Sequence, residues 1–376
     1  MEILWICGSR QVGGSERVTL EIASRLTANG HQVSLLLPRG SELAAAAAAS
    51  VVGIAEAPLG HALDFRAVRA IERRLGERRV DAALVTTADE WVWASLARRG
   101  SAALVLVRHM ALPLPRRVQW LAARRADAIV AVGPAVAKTL TAIDPRRLRV
   151  IANFSRFPAR DDVPSSEERA RVREGLGLPA GGPWIGFFGG LDPAKGIDDL
   201  VAAVGGTRRR LGDVRLLVCG GSKGRARLPD RDWIRALGPI DEVRRAMTAV
   251  DVVALATRSR LREGMPLVAI ESLACGTPVV ATATGGVSDV VGEDGIAGLL
   301  ARPDDPLDLE RALSILLEDA ALRARMAASG LARVRQRFDA ERAAAAYEEL
   351  LAEVVARRAG RQSGADSSGA GSRSDA

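Results

Sequence analysis

At 376 residues the chain is too long for one ordinary core, so two domains are expected. A hydrophobic content of 48% excludes a disordered protein, and Cys7, Cys219 and Cys275, far apart and without a CxxC pair, exclude a disulfide scaffold or a cysteine metal site. The net charge of +8 is uneven. Residues 1–160 carry 23 Lys and Arg against 13 Asp and Glu, so either an anionic partner or an ordinary arginine-rich surface belongs to the first half. His31, His61 and His109 have no metal-ligand spacing, and no metal is expected. No basic leader follows Met1 and no apolar run reaches the ~18 residues of a membrane span, which reads as a cytoplasmic protein. With aromatics at 3% and scattered arginines, nucleic acid is not an expected partner.

In chain order, Ile3 to Ile6 reads as a strand, Gly13-Gly14 as a turn, Ser15 to Asn29 as a helix ended by Gly30, and Gln32 to Leu37 as the next strand. This is a βαβ opening with glycines at a helix start. Gly8 and Gly13-Gly14 lack the dinucleotide spacing, and Leu37-Pro38-Arg39 puts an arginine where a nicotinamide cofactor's ribose wants an acid. An arginine suits only a 2′-phosphate, so NADP is disfavoured rather than excluded. Ala44 to Ala49 is an alanine run without chemistry. Strands are expected at 80–85, 102–107, 127–132 and 148–151, with helices between them, implying a parallel sheet covered on both faces. Prolines 158, 164, 179 and 183 mark residues 158–182 as a linker containing one short helix near Glu167 to Gly175. Strand–helix alternation resumes at Trp184 to Phe188, Val214 to Cys219, Val250 to Leu255, Pro278 to Ala281 and Gly298 to Leu300. From Glu310 the chain reads as helical to about Arg358, and 359–376 is a Gly/Ser-rich tail expected to be disordered.

The stretch with the clearest chemistry runs from Ala254 to Val291. A strand ends near Ala256, a charged loop holds Arg258, Arg260 and Arg262, and Glu263-Gly264-Met265-Pro266 leads into a helix from Leu267 to Cys275. Pro266 suits the first helical position and Gly276 a left-handed cap. A strand-to-helix turn of this kind is an anion site, because free amides and the positive dipole end face outward. Glu263 and Glu271 would repel a bare anion but accept hydrogen bonds from hydroxyls. A ligand carrying both, such as a nucleoside diphosphate sugar, fits.

These residues resemble a known family. Glutamate, seven residues, glutamate, within REGMPLVAIESLACGTPVVAT, looks like the donor signature of retaining GT-B glycosyltransferases of family 4, group 1. GGSERVTLEIASRLTANGHQVSLL, ADAIVAVGPAVAKTL, RVIANFS, GGLDPAKG and LGPIDEVRRAMTAVDVVAL resemble further family segments in the right order. The resemblance implies an α/β GT-B fold with two Rossmann-like parallel-sheet domains facing across a cleft. These would be an acceptor-side domain (1–157), the linker (158–182) and a nucleotide-sugar domain (183–340). A terminal helix (341–358) would return to the first domain. No cofactor is implied beyond the NDP-sugar donor, UDP- or GDP-linked, and transfer would be retaining and metal-independent. The acceptor would be a glycan or lipid-linked intermediate of surface polysaccharide or glycolipid synthesis.

By the same resemblance Glu271 binds the ribose hydroxyls, Glu263 contacts the donor sugar, and Gly264, Met265, Pro266 and Leu267 bring backbone to sugar and phosphate. Lys195 contacts the diphosphate, and His109 reaches the sugar from the first domain. His109 and Glu263 are thus the catalytic candidates. Gly13 and Gly14 are candidate phosphate contacts. The family arginine is replaced here by Gly190, so Arg258, Arg260 or Arg262 is expected to share the leaving group with Lys195. A donor-binding subunit with weak or lost transfer, and a nucleotide-sugar epimerase, stay open as alternatives. Leu112 to Arg125 mixes Leu112, Leu114, Trp120 and Leu121 with four arginines. It reads either as a half-buried helix with solvated arginines or as a face for an anionic membrane at the inner surface of the cell.

Overall fold

The computed structural model describes residues 1–48, 51, 53–59, 65–77, 79–86, 88–97, 100–221, 228–292 and 295–369. His61 and the end of the expected tail lie outside them. The chain divides into two compact units, Met1–His109 with Pro113–Ala152 and Ala340–Ala376, and Met110–Leu112 with Asn153–Asp339.

The first unit alternates β1 (Glu2–Ile6), α1 (Gly14–Ala28), β2 (Gln32–Pro38), α2 (Glu42–Ala47), β3 (Gly53–Ala57), α3 (Phe65–Glu77) and β4 (Ala82–Val85). It continues through α4 (Ala88–Leu96), β5 (Ala103–Arg108), α5 (Arg116–Arg125), β6 (Ala128–Ala131), α6 (Pro134–Ala137) and β7 (Leu148–Val150). The seven strands form one sheet, β3-β2-β1-β4-β5-β6-β7, whose neighbouring strands all pair in parallel. Its central strands are buried along their whole length, because helices cover both faces and leave no side for polar residues. The order reverses between β1 and β4, which opens a crevice at the strands' carboxyl ends.

The second unit runs α7 (Ser166–Gly175), β8 (Trp184–Phe188), α8 (Ile197–Leu211), β9 (Arg215–Cys219), β10 (Ile234–Gly238), α9 (Val243–Ala249) and β11 (Val252–Leu255). Then come α10 (Leu267–Ala274), β12 (Val279–Thr282), α11 (Val287–Val291), β13 (Gly298–Ala301), α12 (Pro306–Glu318) and α13 (Ala320–Arg337). Its sheet is β10-β9-β8-β11-β12-β13, again with parallel pairings. The order reverses between β8 and β11, and the loops after those two strands carry Lys195 and Glu263. Ile185, Val204, Leu216, Val252 and Leu313 are fully buried in the core between sheet and helices.

Three local expectations change. The helical run from Glu310 is broken twice, where Asp319 caps the start of α13 and where Phe338 ends it before α14 (Ala340–Gly369) begins. α14 extends past Arg358 and groups with the first unit, where Tyr347 lies 6.1 Å from Trp5, ring to ring, and Glu348 meets His31 at 3.0 Å. The stretch 158–182 belongs to the second unit rather than forming an open linker. Arg169 on α7 is buried and donates to the carbonyls of Thr248 and Gly276 at 2.7 and 3.0 Å, while Arg173 reaches the carbonyl of Ala249 at 2.7 Å and Asp251 at 2.8 Å. These guanidinium groups satisfy carbonyls that the ends of the neighbouring elements leave without amide donors.

Candidate functional site

The site begins at the loop between β11 and α10. The helix starts at Leu267, as expected, and ends at Ala274, while Pro266 is its cap residue with extended backbone rather than its first helical position. Pro266 lacks an amide, and its carbonyl takes those of Ala269 and Ile270. The first-turn amides of Leu267 and Val268 point along the positive end of the helix, as in any first turn. Gly264, Met265, Pro266 and Leu267 are buried. Gly276 closes the helix at φ 68°, the left-handed cap expected.

Three contacts fix this loop. The Gly286 amide donates to the Glu263 carbonyl at 2.9 Å, and a Cβ on Gly285 or Gly286 would fall onto the backbone of Glu263 or Gly264. Gly285 also sits at φ 57°, so a side chain there would be both strained and displaced. The Asn153 side-chain amide donates to the Met265 carbonyl at 2.8 Å, while Asn153 Oδ1 is buried and, among the described residues, unpartnered. Met110 forms an antiparallel bridge with Glu263, and the Ala111 amide donates to the Arg262 carbonyl at 3.0 Å.

Two ion pairs hold the two acids. Lys195 Nζ pairs with Glu263, and Arg156 Nε pairs with Glu271. Lys195 ends a short 3-10 turn, Pro193–Lys195, capped by Asp192, whose carboxylate accepts the Ala194 amide at 2.8 Å. Burial lowers the Lys195 ammonium below the usual lysine range, against the opposing charge of Asp192. Glu271 is 2% exposed, so its carboxylate is held by charge rather than by water. Arg258 spends both sides of its fork on Asp199, at 2.7 and 2.9 Å. Arg260 and Arg262 are exposed, and Gly190 leaves open space at its own position, its would-be Cβ meeting only the Gly221 carbonyl at 3.9 Å.

In the first unit the crevice between β1 and β4 is lined by acids on backbone amides. The Gly8 amide donates to the buried Glu90 carboxylate, and the Gly13 amide donates to Glu16 Oε2 at 2.9 Å, the glutamate half of a capping box, since glycine has no side chain to return the bond. Gly13's amide, a candidate phosphate contact, is therefore spent on Glu16, and Gly14 is the first residue of α1. His109 follows β5, and both its ring nitrogens are buried without a hydrogen-bond partner among the described residues. Burial, then the neighbouring Arg108, push its imidazolium down to about 4, so the ring is neutral near pH 7. His31 ties the N-terminus to Glu348 and is structural. The three cysteines are buried and free, with thiols pushed up by burial.

Residues 12–154 match the family model for Glycosyltransferase Family 4, and residues 182–319 match the model for Glycosyl transferases group 1. The chain belongs to the group 1, family 4 glycosyltransferases. A D-inositol 3-phosphate glycosyltransferase of Xylanimonas cellulosilytica is 39% identical over 213 residues, 53% of this chain and 49% of that protein. One from Salinispora arenicola is 35% identical over 235 residues, 57% of this chain and 51% of that protein. The chain thus spans about half the length of the curated relatives it matches. Among solved structures, Anabaena Alr3699/HepE in complex with UDP superposes with a TM-score of 0.79 at 21% identity, covering 94% of this chain and 100% of that one. WaaG, a glycosyltransferase involved in lipopolysaccharide biosynthesis, gives 0.67 at 17% identity, covering 91% and 98%. The fold is GT-B.

The fold therefore brings Lys195, Glu263, the start of α10 and Glu271 into one unit. Sequence reasoning missed Arg156, Asn153 and Glu90. The Gly13–Glu16 pair carried only half of a capping signal, a glutamate three residues after a glycine that has no side chain to cap with. Arg156 carried none, since its pairing spans 115 residues. Among the described residues no three His, Cys, Asp or Glu side chains converge, and no helix is long and apolar enough to cross a membrane.

Proposed function

We propose that this glycosyltransferase moves a sugar from a UDP- or GDP-linked donor held by its second unit to a glycan or lipid-linked acceptor held by its first. The observation that carries this is the arrangement of two glutamates eight positions apart around the start of α10, each paired with a cation. Ribose hydroxyls donate to Glu271, sugar hydroxyls to Glu263, and Lys195 with the amides at Leu267 and Val268 takes the diphosphate. The anomeric carbon–oxygen bond breaks with its electron pair going to the diphosphate. Lys195 and the helix start stabilise that growing charge. The acceptor oxygen bonds to the anomeric carbon on the same face, and its proton passes to the departing phosphate, giving retention without a metal. Neutral His109 is proposed as a donor-sugar contact.

UDP-, GDP- and ADP-sugars, screened for binding and slow hydrolysis with wild type and Glu271→Ala, test the reading. Indifference of every donor to that substitution sinks it. NMR of the product anomer tests retention, and turnover in EDTA tests metal independence. D-inositol 3-phosphate, named in the matched relatives, belongs in the acceptor screen beside lipid-linked glycans. A donor-binding subunit without transfer is the second reading, favoured by the bare position 190 and by Arg258's commitment to Asp199. It gives binding with no turnover on any acceptor.

We also place α5 against an anionic membrane. Trp120 is 57% exposed, Arg124 lies 4.4 Å over its ring, and Arg116 and Arg117 are exposed on a helix without a single acid. Co-sedimentation that ignores the fraction of anionic lipid removes this placement.

A further inference from the structure

We infer that Arg156 is a hand-off residue for a nucleoside diphosphate, pairing with Glu271 until a ribose claims that carboxylate and then turning to the phosphates. The inference rests on the donor-site reading above and assigns a residue that reading does not include.

Charge is the first ground. A nucleoside diphosphate brings a multiply charged anion to a place where three of the nearby cations are already paired with acids, while Arg260 and Arg262 lie exposed on the loop. Lys195 is paired with Glu263, Arg258 is bound through both sides of its fork to Asp199, and Arg156 is paired with Glu271. Arg156 differs from Arg258 in how it is held. Only its Nε bonds to the carboxylate, its side chain is 21% exposed, its guanidinium carbon lies 5.5 Å from the centre of the Phe157 ring, and no hydrogen-bond partner is found for its terminal nitrogens among the described residues. A guanidinium has five N–H donors, so most of its capacity remains for phosphate oxygens.

Position is the second ground. Glu271 stands four residues after Leu267, about 6 Å up the helix, and helical side chains lean back toward the N-terminus. Arg156 is thereby held about one turn from the amides of Leu267 and Val268. The segment that carries it is fastened at the same point by Asn153, whose Nδ2 grips the Met265 carbonyl. Asn153 is 5% exposed, and its Oδ1 is a buried acceptor with no donor among the described residues, which is costly unless something bound there supplies one.

The exchange conserves pairing. Two ribose hydroxyls donate to Glu271 in place of Arg156 Nε, and the released guanidinium meets the negative charge that arrives with the same ligand. A nucleoside without phosphate breaks the Arg156–Glu271 pair and returns nothing to Arg156. Phosphates should therefore add far more affinity when Arg156 is present than when it is not.

The test is calorimetric titration of uridine, UMP and UDP, with the guanosine and adenosine series in parallel, into wild type, Arg156→Ala, Arg156→Gln and Arg156→Lys. The melting temperature of each variant is recorded. The expected result is a loss of diphosphate affinity of roughly ten-fold or more in Arg156→Ala and Arg156→Gln. Nucleoside affinity should be unchanged or higher, and Arg156→Lys should recover part of the loss. Equal loss for nucleoside and diphosphate, loss for the nucleoside alone, or no loss for the diphosphate overturns the inference. If wild type binds no diphosphate in any series, or if Glu271→Gln and Lys195→Ala bind it as wild type does, the donor-site reading fails and this inference with it. Loss in those two variants with no change at Arg156 leaves the donor site standing and removes the hand-off alone.

Discussion

The two units share a topology but treat their topological switch points in opposite ways. In the first, acids cover backbone donors: Glu90 takes the Gly8 amide and Glu16 the Gly13 amide. In the second, acids are covered by cations, Glu263 by Lys195 and Glu271 by Arg156, and the first amides of α10 stay with the helix start. A carboxylate on an amide lowers the positive potential of a helix start and turns away anionic groups. A carboxylate paired with a flexible cation can exchange that cation for hydroxyls and release its charge to a phosphate. On the proposed reading, that contrast suits the first unit to hydroxyl groups and the second to a nucleoside diphosphate.

The largest expected break of this contrast is Gly285→Val. Its side chain would combine a left-handed φ with a collision against the Glu263 backbone, so several kcal/mol of stability, about 3–5, should be lost. Thermal unfolding measures it, and donor affinity should fall in parallel because Glu263 moves. Glu271→Ala comes next. Removing an acceptor for two ribose hydroxyls should cost about 2–4 kcal/mol of donor binding, roughly 30- to 1,000-fold, with Kd as the readout. A loss confined to stability would show Glu271 to be a partner for Arg156 and nothing more.

His109 gives a test of the first unit that depends on pH. Its folded pKa is about 4 against an ordinary 6.5, so the unfolded chain binds the proton more readily between these values. Stability contributed by keeping the ring neutral is present above pH 6.5 and is lost as pH falls toward 4, by up to ~3 kcal/mol. Denaturant unfolding across that window should show a slope in wild type that is absent in His109→Gln. An equal slope in both assigns the acid loss to other groups.

Legibility in the sequence followed the range of the interaction. Strands such as Trp184–Phe188 and the cap at Gly276 were plain, because apolar runs and glycine stops are local signals. The edge strands β3 and β10 were missed, since GIAEA and IRALG are short and only partly buried and carry no clear apolar run. The Glu263–Glu271 spacing pointed to a donor site, but the partners of those acids lie 68 and 115 residues away. Arg156, Arg169 and Arg173 all sit in or beside proline-rich sequence that reads as linker, yet they are fastened into the second unit through distant carbonyls and carboxylates. Composition cannot tell a solvated arginine from one that closes a long-range bond.

The smallest expected effect is the one that sharpens the contrast most. Glu16→Ala removes the carboxylate that caps the Gly13 amide at the start of α1 and should cost about 1 kcal/mol of stability, readable as a modest shift of Tm. The same change uncovers the Gly13 amide and strengthens the positive end of a 15-residue helix. If the first unit uses Glu16 to turn anions away, inorganic phosphate should bind the variant more tightly than wild type, with the gain fading as salt is raised. Glu16→Gln keeps the hydrogen bond and loses only the charge, so it should retain most of the stability yet show part of the phosphate gain. A phosphate affinity that is the same in all three proteins would mean that the carboxylate is a cap alone, and the contrast between the two units would then rest on Glu90.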